Sequence, residues 1–256
     1  MSVKLGRFKD QAGSINWGIV SEDKVEIITP SPFNGYRSTG EKISLQEVEL
    51  IPPVNPGKII CVGLNYRDHA REIEMDIPRT PLIFLKAPSS VTGPDTEIIK
   101  PNECVQMDFE GELAAIVGKP VKKISSREAS DCLLGYTCFN DVTARDIQRK
   151  ESQWSRAKSY DTFSPLGPFI VSDIDPGSLG VRLFLNGHIK QNSNTRNMIF
   201  SVDEIVSFIS KIMTLYPGDV IATGTPPGVG PMEPGDRVKI EIEKIGNLEN
   251  TVRKEK

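Results

Sequence analysis

Three acids stand at alternate positions in the run MDFEGELAAIVGK, residues 107–119: Asp108, Glu110 and Glu112. Side chains at i, i+2 and i+4 of a strand share one face. The run therefore predicts a strand with three negative charges on one side, leading into an apolar stretch. Clustered carboxylates repel one another, and burying them unpaired is costly. A further acid, Asp141, ends the strand-like segment YTCFND. Glu110, Glu112 and Asp141 together offer hard oxygen donors of the kind that suit a divalent cation, Mg²⁺ first, then Mn²⁺ or Ca²⁺. The same alternation fits the solvated outer face of an antiparallel sheet, and periodicity alone leaves both readings open. No basic residue interleaves on the acidic face.

The chain has two histidines. His69 lies in NYRDHAREIE, with Glu72 three residues on, a spacing that lets the side chains meet on a helix. A carboxylate that fixes the tautomer of an imidazole and raises its basicity makes a general base. An exposed helix face would bring the same pair together by chance. His188, in NGHIK, reads as a hairpin position without a role. Lys86, Arg145 and Lys158 are the cations to consider, and each also reads as an ordinary surface charge. Arg145 and Gln148, i and i+3 in the first turns of a helix after Asp141, would lie close to an ion bound there. The segment GTPPGVG, residues 224–230, matches neither a P-loop nor a dinucleotide fingerprint. It reads as a tight loop exposing backbone N–H groups and the Thr225 hydroxyl.

The elements that must carry these groups are mostly short strands. SINWGIV and KVEIIT, joined by SEDK, give a hairpin signal. The prolines and glycine of IPPVNPGK mark a boundary, which sets a small β unit over residues 1–50 apart from a larger unit over 51–256. KIICVGLN and PLIFLKAP read as strands flanking a helix over YRDHAREIEM. SSREASDCLLG predicts a helix capped by Ser126 and ended by Gly135. TARDIQRKE has a capping-box pattern, Thr143 with Asp146 in place of Glu or Gln. SVDEIVSFISKIM is the clearest amphipathic helix, with Ile205, Phe208, Ile209 and Ile212 on one stripe. Many strands with few helices make the class β-rich α+β.

A chain of 256 residues with net charge −3 has the balance of an ordinary globular protein and no basic footprint for nucleic acid or for an anionic membrane. Nothing approaches a transmembrane run, and the N-terminus lacks the apolar core of a secretory signal, so a cytoplasmic location is expected. The four cysteines, Cys61, Cys104, Cys132 and Cys138, show no metal or redox spacing and read as small buried hydrophobes.

The blocks VGLNYRDHA, PLIFLK, MDFEGELAAIVGK, GYTCFNDVTARDIQ, AKSYDTFSPLGP and LYPGDVIATGTPPGVG, in this order, resemble the fumarylacetoacetate hydrolase family. The resemblance spans about residues 57–252, with residues 1–50 matching less specifically. It implies a mixed β-roll that holds Mg²⁺ or Mn²⁺ through Glu110, Glu112 and Asp141. It also implies a catalytic pair, His69 and Glu72, on a segment that closes over the ligand, with Lys158 facing the developing oxyanion. Arg145, Gln148 and Thr225 match positions that bind the carboxylate and keto groups of the substrate. Lys86 is a weaker match, because Ala87 stands where a proline often follows, and it stays outside the core set. Asp108 has no place in the metal trio; it reads either as a neighbour that supports the metal ligands or as a solvated acid, with the solvated reading preferred. The implied activity is metal-dependent C–C bond cleavage of small 2-oxo acids, by hydrolysis of acylpyruvates or decarboxylation of oxaloacetate, through an enolate. Isomerisation of a 2-hydroxyhepta-2,4-diene-1,7-dioate and hydrolysis of diketo sugar acids are the alternatives. The resemblance also implies a homodimer.

Overall fold

The computed structural model describes residues 2–256. The chain opens with a meander of β1 (Lys4–Lys9), β2 (Ile15–Ser21), β3 (Lys24–Thr29) and β4 (Arg37–Ser44), then the short β5 (Glu49–Leu50). The β2–β3 hairpin turns at the SEDK signal, with Ser21 opposite Lys24. After the proline-rich boundary come β6 (Ile59–Gly63), α1 (Arg67–Glu72) and β7 (Leu82–Lys86). Next are β8 (Val91–Thr92), β9 (Glu97–Lys100), β10 (Met107–Phe109), β11 (Gly111–Val117), β12 (Leu133–Asn140) and β13 (Thr143–Ala144). Two short helices, α2 (Arg145–Lys150) and α3 (Ser155–Lys158), precede β14 (Ser164–Val171). The remainder is β15 (Gly180–Leu185), β16 (His188–Asn194), α4 (Val202–Ile212), β17 (Val220–Ala222), β18 (Gly230–Pro231), β19 (Arg237–Ile242) and β20 (Gly246–Lys254).

A 12-stranded sheet runs β4-β3-β2-β1-β14-β12-β11-β17-β6-β7, with β5 added on β1 and β8 on β14. Its pairings are antiparallel apart from β17–β6 and β14–β8, so the sheet is mixed. A second sheet, β16-β15-β19-β20-β9, and a small β13-β10-β18 sheet complete the strand-rich α+β architecture. The N-terminal meander joins the main sheet directly through β1 on β14, with Lys4 opposite Val171. It also keeps a small core of its own around Phe8, Val20 and Val25.

The central strand β11 is buried at every position. Its alternation feeds two cores. Leu113, Ala115 and Val117 pack with Leu183 and Ile240 of the second sheet and Ile205 of α4. Ala114 and Ile116 pack with Leu5, Ile59 and Ile170. Burial on both faces explains why AAIV reads as a continuous apolar run rather than an alternating one. All four cysteines are buried and unpaired. Among the described residues no helix is long and apolar enough to cross a membrane.

Three local expectations are corrected. SSREASDCLLG forms two 3₁₀ turns, Ser126–Glu128 and Ser130–Cys132, with Ser125 rather than Ser126 at the cap. Gly135 does not end a helix; it lies inside β12 at φ +154°, where an added Cβ would meet the Val171 carbonyl oxygen at 2.5 Å. Its role is the close approach of β14. The capping box at Thr143 does not form: α2 has Ala144 at its N-cap without a side-chain bond. Thr143 is held in β13 opposite Asp108, and Asp146 instead accepts the N–H groups of Val105 and Gln106. Helix α4 does carry its capping box, Ser201 with Glu204, but Ile212 at its end is 51% exposed and leaves the buried stripe.

Candidate active site

The acidic run is not one strand. Glu110 sits in a break between β10 and β11, where its N–H is taken by the Asn140 side chain at 3.0 Å. Pairing of Gly111 with Asn140 sets the start of β11 against the end of β12. The Asp141 N–H then donates to the Glu110 carbonyl at 2.9 Å. Carboxylate oxygens of Glu110, Glu112 and Asp141 converge to within 4.8 Å of one another, and all three residues are buried.

Cations reach this cluster from other elements. Lys158, at the end of α3, bridges Glu110 Oε2 at 3.0 Å and Asp141 Oδ2 at 2.6 Å. Arg145, opening α2, pairs with Glu110 through Nη2 and with Asp108 Oδ2 through Nε at 2.8 Å, and its Nη1 donates to Gln148 at 2.6 Å. Asp108 is therefore no solvated acid. It is 3% exposed, and it also accepts from the Gln106 amide at 3.0 Å. The guanidinium that pairs with it comes from α2, three strands further along the chain, and is invisible in the local alternation.

Lys86 ends β7 and is also buried. Its ammonium donates to Asp141 Oδ1 at 2.5 Å, the Phe163 carbonyl at 2.6 Å and the Val142 carbonyl at 3.2 Å. The sequence signal was a single cation closing an otherwise apolar strand, PLIFLK. Gln191 had no signal at all. From β16 it accepts the Gly111 N–H at 2.9 Å and donates to the Thr225 hydroxyl at 2.8 Å and the Pro226 carbonyl at 2.7 Å.

Electrostatics separate the acids. Burial raises the Glu110 pKa, but Lys158 and Arg145 outweigh it and bring the carboxyl down to about 2. Glu112 goes the other way: burial, then Asp141 and Glu110, push it well above the carboxylate range. Its one hydrogen bond is the Gly224 N–H, at 2.8 Å, and no ion pair reaches it among the described residues. Burial opposes charge on Lys158, yet Asp141 and Glu110 raise its pKa to about 12, so it stays an ammonium at neutral pH.

The donor set fits a divalent cation: three buried carboxylates at close quarters, one of which lacks a cation partner. In the metal-free protein burial and the neighbouring acids favour the protonated form of Glu112, and a divalent cation bound to the trio would displace that proton. Metal binding near neutral pH is expected to release about one proton per site. Titration calorimetry in buffers of different ionisation enthalpy measures this; a buffer-independent heat would contradict it.

The imidazole–carboxylate pair forms as spaced, with His69 Nδ1 2.7 Å from Glu72 Oε2. Glu72 Oε1 accepts the Gly228 N–H at 3.0 Å, tying α1 to the 224–230 loop. Asp68 holds the start of α1 through the Ser193 hydroxyl at 2.5 Å and the Asn197 amide at 3.1 Å. Thr225 lies in that loop, but its hydroxyl donates to the Gly111 carbonyl at 3.0 Å and accepts from Gln191. A single cavity of about 620 Å³ is lined by His69, Glu72, Glu110, Glu112, Asp141, Arg145, Gln148, Lys158 and Thr225. The structure thus brings every core residue named from the sequence to one cavity, with Lys86 behind Asp141 and outside the lining.

Residues 58–253 match the fumarylacetoacetate (FAA) hydrolase C-terminal family, and residues 3–53 match the Rv2993c-like N-terminal family. The oxaloacetate tautomerase fahd2, mitochondrial, of Xenopus laevis is 44% identical, over 82% of this chain and 70% of that protein. The structure of 2-hydroxyhepta-2,4-diene-1,7-dioate isomerase from Mycobacterium marinum superposes with a TM-score of 0.93 at 42% identity, covering 99% of each chain. Maleylpyruvate hydrolase from Sphingobium sp. SYK-6, in complex with manganese(II) and pyruvate, superposes with a TM-score of 0.82 at 30% identity, covering 99% of this chain and 100% of that one. On this extent of match, and with the acidic trio and the imidazole–carboxylate pair set around one cavity, the chain belongs to the fumarylacetoacetate hydrolase family.

Proposed function

We propose that the chain is a divalent-metal-dependent enzyme of small 2-oxo acids, such as oxaloacetate or acylpyruvates, that moves a proton at the carbon next to the 2-oxo group. The observation that carries this reading is one cavity holding both a buried carboxylate trio and an imidazole oriented by a carboxylate. A divalent ion held by Glu110, Glu112 and Asp141 would supply Lewis acidity at the 2-oxo group.

The chain's own groups supply the rest. Arg145 keeps donors on both terminal nitrogens after its bonds to Asp108, Glu110 and Gln148, and the Gln148 amide N–H groups are free to join it. Together they receive the substrate carboxylate. Lys158 remains charged and offsets negative charge as it develops on the 2-oxo oxygen. Glu72 accepts a hydrogen bond from the His69 Nδ1–H, which holds the proton on Nδ1 and leaves Nε2 as the base. Nε2 removes the proton from C3, the C–H electron pair becomes the C2–C3 double bond as the carbonyl π pair moves onto the 2-oxo oxygen, and the imidazolium returns the proton to carbon or to that oxygen. The tautomerase and isomerase relatives support this proton transfer.

C–C bond cleavage is the second reading, supported by the hydrolase that shares the fold and holds manganese(II) and pyruvate. In it the same Nε2 deprotonates a water that attacks the distal carbonyl of an acylpyruvate, the bond from that carbonyl to C3 breaks, and its electron pair leaves as an enolate that the imidazolium protonates; with oxaloacetate the C3–C4 bond breaks instead, carbon dioxide departs and the same enolate is left.

The test is a panel of oxaloacetate and acylpyruvates, following both keto–enol interconversion and cleavage, with Mg²⁺ or Mn²⁺ and then with chelator. Activity is expected to vanish with chelator; persistence would overturn the metal-dependent reading. His69→Gln is expected to lower turnover by about 10²–10⁴-fold while leaving the metal-induced rise in Tm intact. Undiminished turnover in that variant would remove His69 from the mechanism.

A further inference from the structure

The cavity has two chemically unlike linings. The ionic groups described above form one. The other is made by Ile73, Met75, Leu82, Phe84, Trp154 and Val229. Ile73, Met75 and Leu82 are 43%, 58% and 50% exposed, an unusual concentration of open apolar surface beside a site of charges.

This apolar lining is built, not frayed. After α1 the chain turns through a Schellman motif: the Glu74 N–H bonds the Arg71 carbonyl at 3.3 Å and the Met75 N–H bonds the Ala70 carbonyl at 2.9 Å. Glu74 takes the left-handed conformation, φ +53°, at the position where glycine is usual. A strained residue is thus kept at the turn that sets Ile73 and Met75 against the cavity. Phe84 and Trp154 meet edge to face at 5.2 Å. Gly63 makes room for them, since a Cβ there would lie 3.2 Å from Trp154 and 3.3 Å from Leu82.

Of the nearby cations, Lys158 is held by acids of the cluster, and the remaining donors of Arg145 are taken by the substrate's own carboxylate in the reading above. Arg149, on the exposed rim, is the lining cation without a carboxylate partner among the described residues, and its Nη1 donates to the Gln106 side chain at 3.1 Å. A 2-oxo acid no larger than oxaloacetate leaves the apolar lining uncovered.

We propose that the preferred substrate is a 2-oxo acid with an apolar alkyl or aryl group beyond C4, which covers Ile73, Met75, Leu82 and Trp154, rather than one ending in a second carboxylate. This rests on the functional reading above. The distal group enters no bond change; it contributes binding energy and selects the substrate.

The test compares kcat/KM for oxaloacetate, a series of straight-chain acylpyruvates, benzoylpyruvate and fumarylpyruvate, in Mg²⁺ and in Mn²⁺. Along the alkyl series kcat/KM is expected to rise about fourfold per added methylene. Benzoylpyruvate is expected to exceed the dicarboxylate fumarylpyruvate by about tenfold or more. Met75→Lys and Leu82→Lys, at half-exposed positions, should reverse that order while keeping the metal-induced rise in Tm as a control on folding. A flat alkyl series, or fumarylpyruvate preferred with that preference lost in Arg149→Ala, would overturn the inference and leave the functional reading standing. No turnover of any member would overturn both.

Discussion

Glu112→Gln is expected to remove most of the metal-induced stabilisation and the activity while leaving the metal-free protein at least as stable as the parent. The substitution keeps shape and the Gly224 N–H bond, and it removes a charge that burial, Asp141 and Glu110 all oppose. A raised pKa in the folded state means that Glu112 contributes stability below the ordinary carboxylate range, and that this is lost as pH rises through the raised value. The metal-free parent should therefore lose stability with rising pH over that window, and the Gln variant should not. With metal the order inverts. At a metal concentration of about 100 Kd the parent gains about 2.7 kcal/mol. Loss of a carboxylate ligand should weaken binding by at least about a hundredfold, since even outer partners of metal ligands are worth about 10–100-fold. At the same metal concentration the gain then falls to about 0.4 kcal/mol. Thermal melts with and without Mn²⁺, across pH, measure both effects. An unchanged metal response would take Glu112 out of the ligand set.

Lys86→Met is expected to cost about 3–5 kcal/mol in the metal-free protein. Methionine can fill the volume of the stem, but Asp141 loses one of its two cations, and the carbonyls of Phe163 and Val142 lose their donor in a site closed to water. Because Lys86 stands outside the cavity lining, the variant tests support of Asp141 and not contact with substrate. A divalent cation bound at Asp141 would restore part of the missing positive charge. The metal-induced rise in Tm should accordingly be larger in Lys86→Met than in the parent. Urea melts with and without Mn²⁺ give both numbers. Parent-like stability in the variant would mean that Asp141 does not depend on Lys86.

The site was legible where its chemistry follows a local period. His69 and Glu72 meet because a helix puts i and i+3 side by side, and the alternation of Glu110 and Glu112 pointed to the cluster although Glu110 itself sits in the break before β11. The failures have a common cause. Asp108 read as solvated because alternation reports a face and says nothing of what lies across it; Arg145 arrives from a separate helix. Lys86 was marked only as a lone cation at the end of an apolar strand, and Gln191 reaches the cluster from a strand with no local mark of the site. The helix expected over SSREASDCLLG forms only as two 3₁₀ turns, and Gly135, read as its stop, serves the close backbone approach of β14 instead. The β2–β3 hairpin and α4, whose turn and cap chemistry are self-contained, form as their sequences imply.

The single N–H that Glu112 receives comes from Gly224, 112 residues further along the chain. The strand that flanks β11 on that side, β17, is equally late, with Ala114 opposite Ala222. On a ribosome adding about 5–20 residues per second, the acidic segment emerges roughly 6–22 s before the residues that complete its surroundings. For that interval the nascent β11 has an open edge, the condition in which chains pair with the wrong neighbour. The acidic trio is complete in the chain by Asp141, but the backbone N–H that backs Glu112 is synthesised only with Gly224.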